Sequence, residues 1–242
     1  MKQNRPSQLV LIAALFTLSP AQSEEGKFTP LHDGKTFDGW EQSGNWIIED
    51  GAFYRSKKGG SLTYTAATVP DDFELRFEWK VSQGCNSGVY YRPGQVEYQI
   101  LDNVGSPYGE NARQAAGSIF FCMAPRADAT GPVGEWNTGR IICDESVIEH
   151  WINGERVLSF DYEDPKWVEY VKLLGVRGGD LTGRGGKLWL QDHGQDVWFR
   201  NMRWRELDED EVIKPDPTFE PLPVTGAALE KEEARVRKML AR

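Results

Sequence analysis

Residues 85–102 read CNSGVYYRPGQVEYQILD, and this stretch sets the fold. Two runs rich in Val, Tyr and Ile flank Pro93-Gly94, which marks a β-hairpin. In the second run, period-two alternation puts Val96, Tyr98 and Ile100 on one face and Glu97 and Gln99 on the other. In the first, Val89 and Tyr91 alternate with Tyr90 and Arg92. The hairpin has one apolar face and one face of Tyr, Arg, Glu and Gln. The second face either points to water, as in a half-buried antiparallel sheet, or meets a polar ligand.

The same alternation extends outward. Residues 73–81, FELRFEWKV, place apolar side chains at odd positions and Glu74, Arg76, Glu78 and Lys80 on a charged face expected to be solvated. Asp50-Gly51 is a hairpin turn between strands at 45–49 and 52–56, and Asn153-Gly154 a second, leading to a strand at 156–162. Further strands are expected at 61–65, 117–123, 140–144, 147–152, 187–193 and 197–207. Residues 103–116 form a long polar loop, 125–134 another, and 163–184 an irregular Gly-rich segment. Turn signals roughly every 8–12 residues with no long repeat predict an antiparallel sandwich or barrel.

The 242-residue chain carries nine Trp, 12% aromatics and a net charge of −9. An acidic chain lacks the basic face that a nucleic-acid partner requires. Residues 1–23 read as a secretory signal peptide: Lys2 and Arg5, an apolar run over 9–18, then Ala21-Gln22-Ser23. Its cleavage removes two cations and no acid, taking −9 to −11. The run is too short to span a bilayer, so a periplasmic or secreted protein without stable membrane insertion is expected, an uncleaved anchor being the alternative. Residues 24–207 then form the sandwich. Residues 208–242 form an acidic, Pro-rich tail ending in a charged helix, expected to add little to the core. Cys85, Cys122 and Cys143 lack metal-type spacing. Buried free thiols are the first reading, one disulfide the alternative.

Glu97 is the leading acid. A carboxylate among aromatics tends to a raised pKa and can act as general base or acid near neutrality. Trp189, Gln191 and His193 share one strand face, which makes His193 a second candidate, whereas His150 shares its face with Ile148 and Ile152 and reads as a packed core residue. Arg92 could clamp hydroxyls or pair with Glu97. Asn86 precedes the hairpin, where a turn role is the default, Tyr90, Gln99 and Gln191 lie on polar faces that a polar ligand could meet, and Trp136 could stack on a sugar ring or seal the core. Asp102 ends its strand, where it could ligate a metal or cap a turn. No Ser-His-Asp order, phosphate loop or His-Glu-x-x-His pattern occurs.

Taken in order, LHDGKTFDGW (31–40), DFELRFEWK (72–80), NSGVYYR (86–92), EYQILD (97–102), GEWN (134–137), INGE (152–155) and LQDHGQDVWFRNM (190–202) resemble the secreted bacterial 3-keto-disaccharide hydrolase domain family over about residues 28–207. Cys85 departs from the pattern, and the tail lies outside it. The resemblance implies an all-β, two-sheet antiparallel jelly roll of the concanavalin A-like lectin/glucanase type, with carbohydrate on its concave sheet. It also implies cleavage of 3-keto-glycosides by hydrolysis or by elimination and hydration. Glu97 or His193 would be the base. Arg92, or a divalent metal held by residues such as Glu97, Asp102 and His193, would stabilise the enolate. The competing readings are a non-catalytic carbohydrate-binding module and an interaction domain of a larger secreted assembly.

Overall fold

A computed structural model describes residues 27–241; the expected signal segment at 1–23 lies outside them. The sequence's alternation is realised in two antiparallel sheets. The larger has the order β11 (Glu155–Asp161), β10 (Val147–Ile152), β9 (Asn137–Asp144), β6 (Phe73–Val81), β13 (Val197–Glu206), β4 (Ala52–Arg55), β3 (Trp46–Glu49), with β1 (Thr29–Pro30) also paired to β13. The smaller has the order β2 (Trp40–Glu41), β5 (Leu62–Tyr64), β12 (Trp189–Leu190), β7 (Asn86–Arg92), β8 (Val96–Leu101). This is the all-β jelly-roll sandwich expected from the sequence. Asp50 (φ 49°) and Gly51 (φ 77°) both adopt left-handed conformations, the geometry that matches a two-residue turn to strand twist.

The odd positions of β6 meet the apolar face of β7 and β8 between the sheets. Phe73 packs edge-on to Tyr91 with ring centroids 6.1 Å apart, and Phe77 to Tyr98 at 5.3 Å. All three cysteines are free and buried. The other face of β6 departs from expectation at Glu74, which is fully buried and not solvated. Arg76 (2.6 Å), Arg140 (2.5 Å) and Arg205 (2.8 Å) converge on its carboxylate. Burial works to raise its pKa, but hydrogen bonds from Arg140 and Arg76 outweigh it and hold the group below the usual range.

Two segments differ from the sequence reading. Residues 117–123 make only isolated bridges, Ile119 to Tyr98 and to Met123, because a turn with Phe121 at φ 64° ends the pairing. The segment 163–184 contains a helix, Val168–Val176. Its signals were present: Asp164-Pro165 as a start, apolar residues at 168, 171 and 174, then Arg177-Gly178-Gly179 as a stop.

The C-terminal segment packs on the sandwich rather than trailing from it. Ile213 N–H donates to Asp144 Oδ2 (2.7 Å), Asp216 N–H to Ser159 Oγ (2.9 Å) and Leu222 N–H to the Pro125 carbonyl (2.9 Å). The Asp216 carboxylate lies 2.9 Å from Arg126 and 3.1 Å from Arg156, and Phe219, 1% exposed, is part of the core against Trp167. Proline fixes an extended path for this strap, and Phe219 anchors it. No described helix is long and apolar enough to cross a membrane. Phe219→Ala should lower unfolding free energy by about 3–5 kcal/mol, a drop in Tm of roughly 6–20 °C, and truncation after Leu207 should lower it at least as far. An unchanged Tm in thermal denaturation of either protein would show the strap to be dispensable.

Candidate active site

The polar face of the hairpin does not point to water. Tyr90 on β7 and Glu97 on β8 are directly opposed, and Trp189 of β12 pairs with Tyr90 from the other side. The rings of Tyr90 and Trp189 stack at 3.5 Å and 11°. Tyr90 donates its hydroxyl hydrogen to Glu97 Oε2 (2.6 Å) and accepts one from Gln191 Nε2 (3.2 Å). Beneath the carboxyl lies Gly88, where a Cβ would stand 2.2 Å from Glu97 Oε1, so only glycine leaves room for it there.

Residues 117–120 roof this face along the free edge of β8. Gly117 N–H donates to the Gln99 carbonyl (2.9 Å), Gln99 N–H to the Ser118 carbonyl (3.1 Å) and Phe120 N–H to the Glu97 carbonyl (3.2 Å). His150 supports the roof from the core. Its ring nitrogens lie 2.9 Å from the Gly117 carbonyl and 2.9 Å from the Tyr91 hydroxyl, and burial lowers its pKa to about 3. It is the packed core histidine expected.

Arg177, just beyond the helix Val168–Val176, supplies the cation that sequence reading missed. Its Nη1 donates to the Phe120 carbonyl (3.1 Å) and lies 3.6 Å from Glu97 Oε2, and its guanidinium sits 4.5 Å over the Phe120 ring. Glu97 is 2% exposed. Burial raises its pKa to about 7, against the opposing pull of the Tyr90 hydrogen bond and the Arg177 charge.

Asn86 and Gln99 extend the polar face, with Gln99 Nε2 donating to Asn86 Oδ1 (3.3 Å) and to the Gln114 carbonyl (3.1 Å). The Gln99 Oε1, Gln191 Oε1 and Ser118 Oγ atoms are buried without a hydrogen-bond partner. Buried polar atoms are nearly always satisfied. Two amide acceptors left over on one face suit a ligand rich in hydroxyl groups.

None of the remaining expected site residues contacts the Glu97 carboxylate. β7 carries an extra residue between Tyr90 and Arg92, so Arg92 pairs with Val96 instead of following the Glu97 face. It donates to the carbonyls of Leu181 (3.2 Å) and Asp71 (3.0 Å) and does not clamp Glu97. β12 ends at Leu190, which leaves His193 exposed, its ring 5.9 Å from that of Tyr108. Trp136 precedes β9 on the outer face of the other sheet, between Arg200 (3.9 Å) and Lys80 (5.1 Å). Asp102 caps a turn, accepting from Gly84 N–H (2.7 Å), Gly105 N–H (2.9 Å) and Val104 N–H (3.1 Å). Burial works to raise its pKa, and these backbone donors outweigh it and lower it. Glu97, Asp102 and His193 therefore do not form a metal-binding set, and among the described residues no group of three His, Cys, Asp or Glu side chains does.

The Glu97 pKa fixes a sign for stability. Its folded value of about 7 lies above the ordinary 4.5, so between these pH values the fold holds a proton that the unfolded chain has released. That contribution to stability is present below pH ~4.5 and lost as pH rises through ~7. Glu97→Gln has no proton to lose. Its unfolding free energy, measured by urea denaturation, should rise relative to the parent by about 3 kcal/mol between pH 4.5 and pH 8. A difference independent of pH would contradict the assignment.

Residues 27–205 match the model of the 3-keto-alpha-glucoside-1,2-lyase-like domain. A 3-keto-disaccharide hydrolase of Bacteroides thetaiotaomicron is 32% identical over 231 residues, covering 75% of this chain and 79% of that protein. Two crystal structures from Parabacteroides distasonis, each named a "putative glycosyl hydrolase", superpose with TM-scores of 0.63 and 0.62. They are 25% and 27% identical to this chain, cover 79% and 75% of it, and are themselves covered to 99% and 100%. With most of the sandwich inside the matched residues, the chain belongs to the 3-keto-alpha-glucoside-1,2-lyase-like domain family.

Proposed function

We propose that this chain cleaves 3-keto-glycosides, with Glu97 as the base that removes the proton on carbon 2 and Arg177 as the cation that stabilises the resulting enolate. The observation that carries this reading is the pairing of a buried carboxyl, pKa about 7, with a guanidinium 3.6 Å away. A ketone at carbon 3 acidifies the neighbouring C2–H. The base must therefore reach C2 while the cation reaches the oxygen on the adjacent carbon, and two groups this far apart suit that span. A purely sugar-binding face needs neither a neutral-range acid nor a cation beside it.

The balance of the steps follows. Glu97 takes the C2 proton and the electron pair moves into the enolate. The enolate re-forms the ketone as a C1=C2 double bond develops, the C1–O bond breaks, and Glu97-H protonates the departing oxygen. Water then adds to C1 and C2 regains a proton, giving net hydrolysis. Stopping before the water adds gives a lyase instead. The Gln191–Tyr90–Glu97 hydrogen-bond chain orients the Oε2 atom. With Glu97 2% exposed, the sugar reaches it only when part of the roof shifts, and the unpartnered amide oxygens of Gln99 and Gln191 would then accept its hydroxyls. The periplasmic or extracellular location expected from residues 1–23 fits a substrate of this kind.

Glu97→Gln keeps shape but cannot take a proton. On a 3-keto-disaccharide its kcat should fall by about 10²–10⁴ with a much smaller change in KM. In the parent, kcat/KM should rise with pH through a midpoint near pH 7, set by the free carboxyl. Parent-like turnover by Glu97→Gln would end the assignment.

A further inference from the structure

The helix Gly226–Leu240 lies beyond the residues 27–205 that match the family, and it packs on residues 107–114, with Arg235 reaching the Phe120 ring of the roof. Glu232, 4% exposed, accepts from Asn111 Nδ2 (2.9 Å) and from the guanidinium of Arg113. Lys231 pairs with Glu110 (2.6 Å). These ties hold the helix against residues 107–114 without closing the space between them. A cleft of about 320 Å³ remains, lined by Tyr108, Gln114, Ala228 and Arg235 among others.

This cleft adjoins the Glu97 site across one residue, Phe120. The Phe120 N–H donates to the Glu97 carbonyl (3.2 Å). Its ring carries the Arg177 guanidinium at 4.5 Å, with that of Arg235 5.9 Å from the ring centre. Tyr108, on the cleft wall, packs against Phe120 at 6.4 Å, and Gln114 offers its carbonyl to Gln99 (3.1 Å). In a glycoside the departing group hangs from C1, next to the C2 carbon that meets the base. A substrate seated on Glu97 must therefore send its leaving group into adjoining space.

Resting on the function proposed above, we infer that this cleft is the subsite for the leaving group, and that the leaving group is a neutral sugar ring. Its volume of about 320 Å³ lies at the lower end of the roughly 300–1,000 Å³ typical of ligand pockets, room for a sugar ring. A half-buried tyrosine face for C–H stacking, beside the side chains of Asn111 and Gln114, is carbohydrate chemistry. Among the lining side chains Glu110 and Glu232 offset Lys231 and Arg235, so the walls hold little net charge to select an anion. The C-terminal helix is then the element that makes the enzyme prefer disaccharides to simple glycosides.

The test uses the full-length chain, with Arg235→Ala to strip one wall and Ala228→Trp to fill the cleft. Each is assayed on a 3-keto-disaccharide, on methyl 3-keto-glucoside and on a 3-keto-glucoside with a glucuronate leaving group. The ratio of kcat/KM for disaccharide over methyl glycoside should fall about 10-fold or more in both variants, through KM. An equal loss on all substrates would show that the helix supports the fold without contacting the leaving group. A selective loss on the glucuronate alone would replace the neutral ring by an anionic one and overturn the assignment. Should the parent cleave none of the three, the function itself fails, an outcome separate from a parent active on all with unaltered ratios in the variants, which overturns the subsite alone.

Discussion

One carboxyl organises this molecule. Glu97 is carried on the face of β8 that points away from the space between the sheets, lies over a glycine that leaves space for it, and is closed in by Tyr90, Phe120 and Arg177. Burying an acid without full compensation costs free energy, and the fold meets that cost by keeping the proton on to about pH 7. Under the proposed mechanism, the state that is poor for stability is the one useful for chemistry: a base that ionises near neutrality.

The sandwich was legible because its strands keep strict alternation. β6 and the β7–β8 hairpin repeat apolar residues every second position, and Asp50-Gly51 and Asn153-Gly154 mark the β3–β4 and β10–β11 turns without ambiguity. The same alternation correctly put Tyr90, Glu97 and Gln99 on one face. It failed at Arg92 for a definite reason: a single extra residue in β7 reverses the side to which the next side chain points. Trp136 was misplaced because sequence order does not say which of two sheets a strand joins. His193 was read as strand because the pairing that ends at Leu190 leaves no mark in composition.

Arg177 was the costliest omission. It is set by a short helix inside a glycine-rich segment, 80 residues after Glu97 in the sequence, and only tertiary packing brings the two together. The tail shows a related limit. Its prolines and acids resemble a disordered segment, yet Phe219, Asp216 and Glu232 each meet a specific partner on the sandwich. A few anchoring contacts outweigh the average composition around them.

The central claim is that cleavage begins at carbon 2. It is tested most directly with a 3-keto-disaccharide carrying deuterium at that carbon, turned over in ordinary water against a buffer blank, with the product read by NMR. Removal of the C2 deuteron by Glu97 predicts slowed turnover and a product whose C2 carries solvent hydrogen. Retention of the label at C2, with no isotope effect on rate, would mean that water attacks C1 directly and would contradict the account.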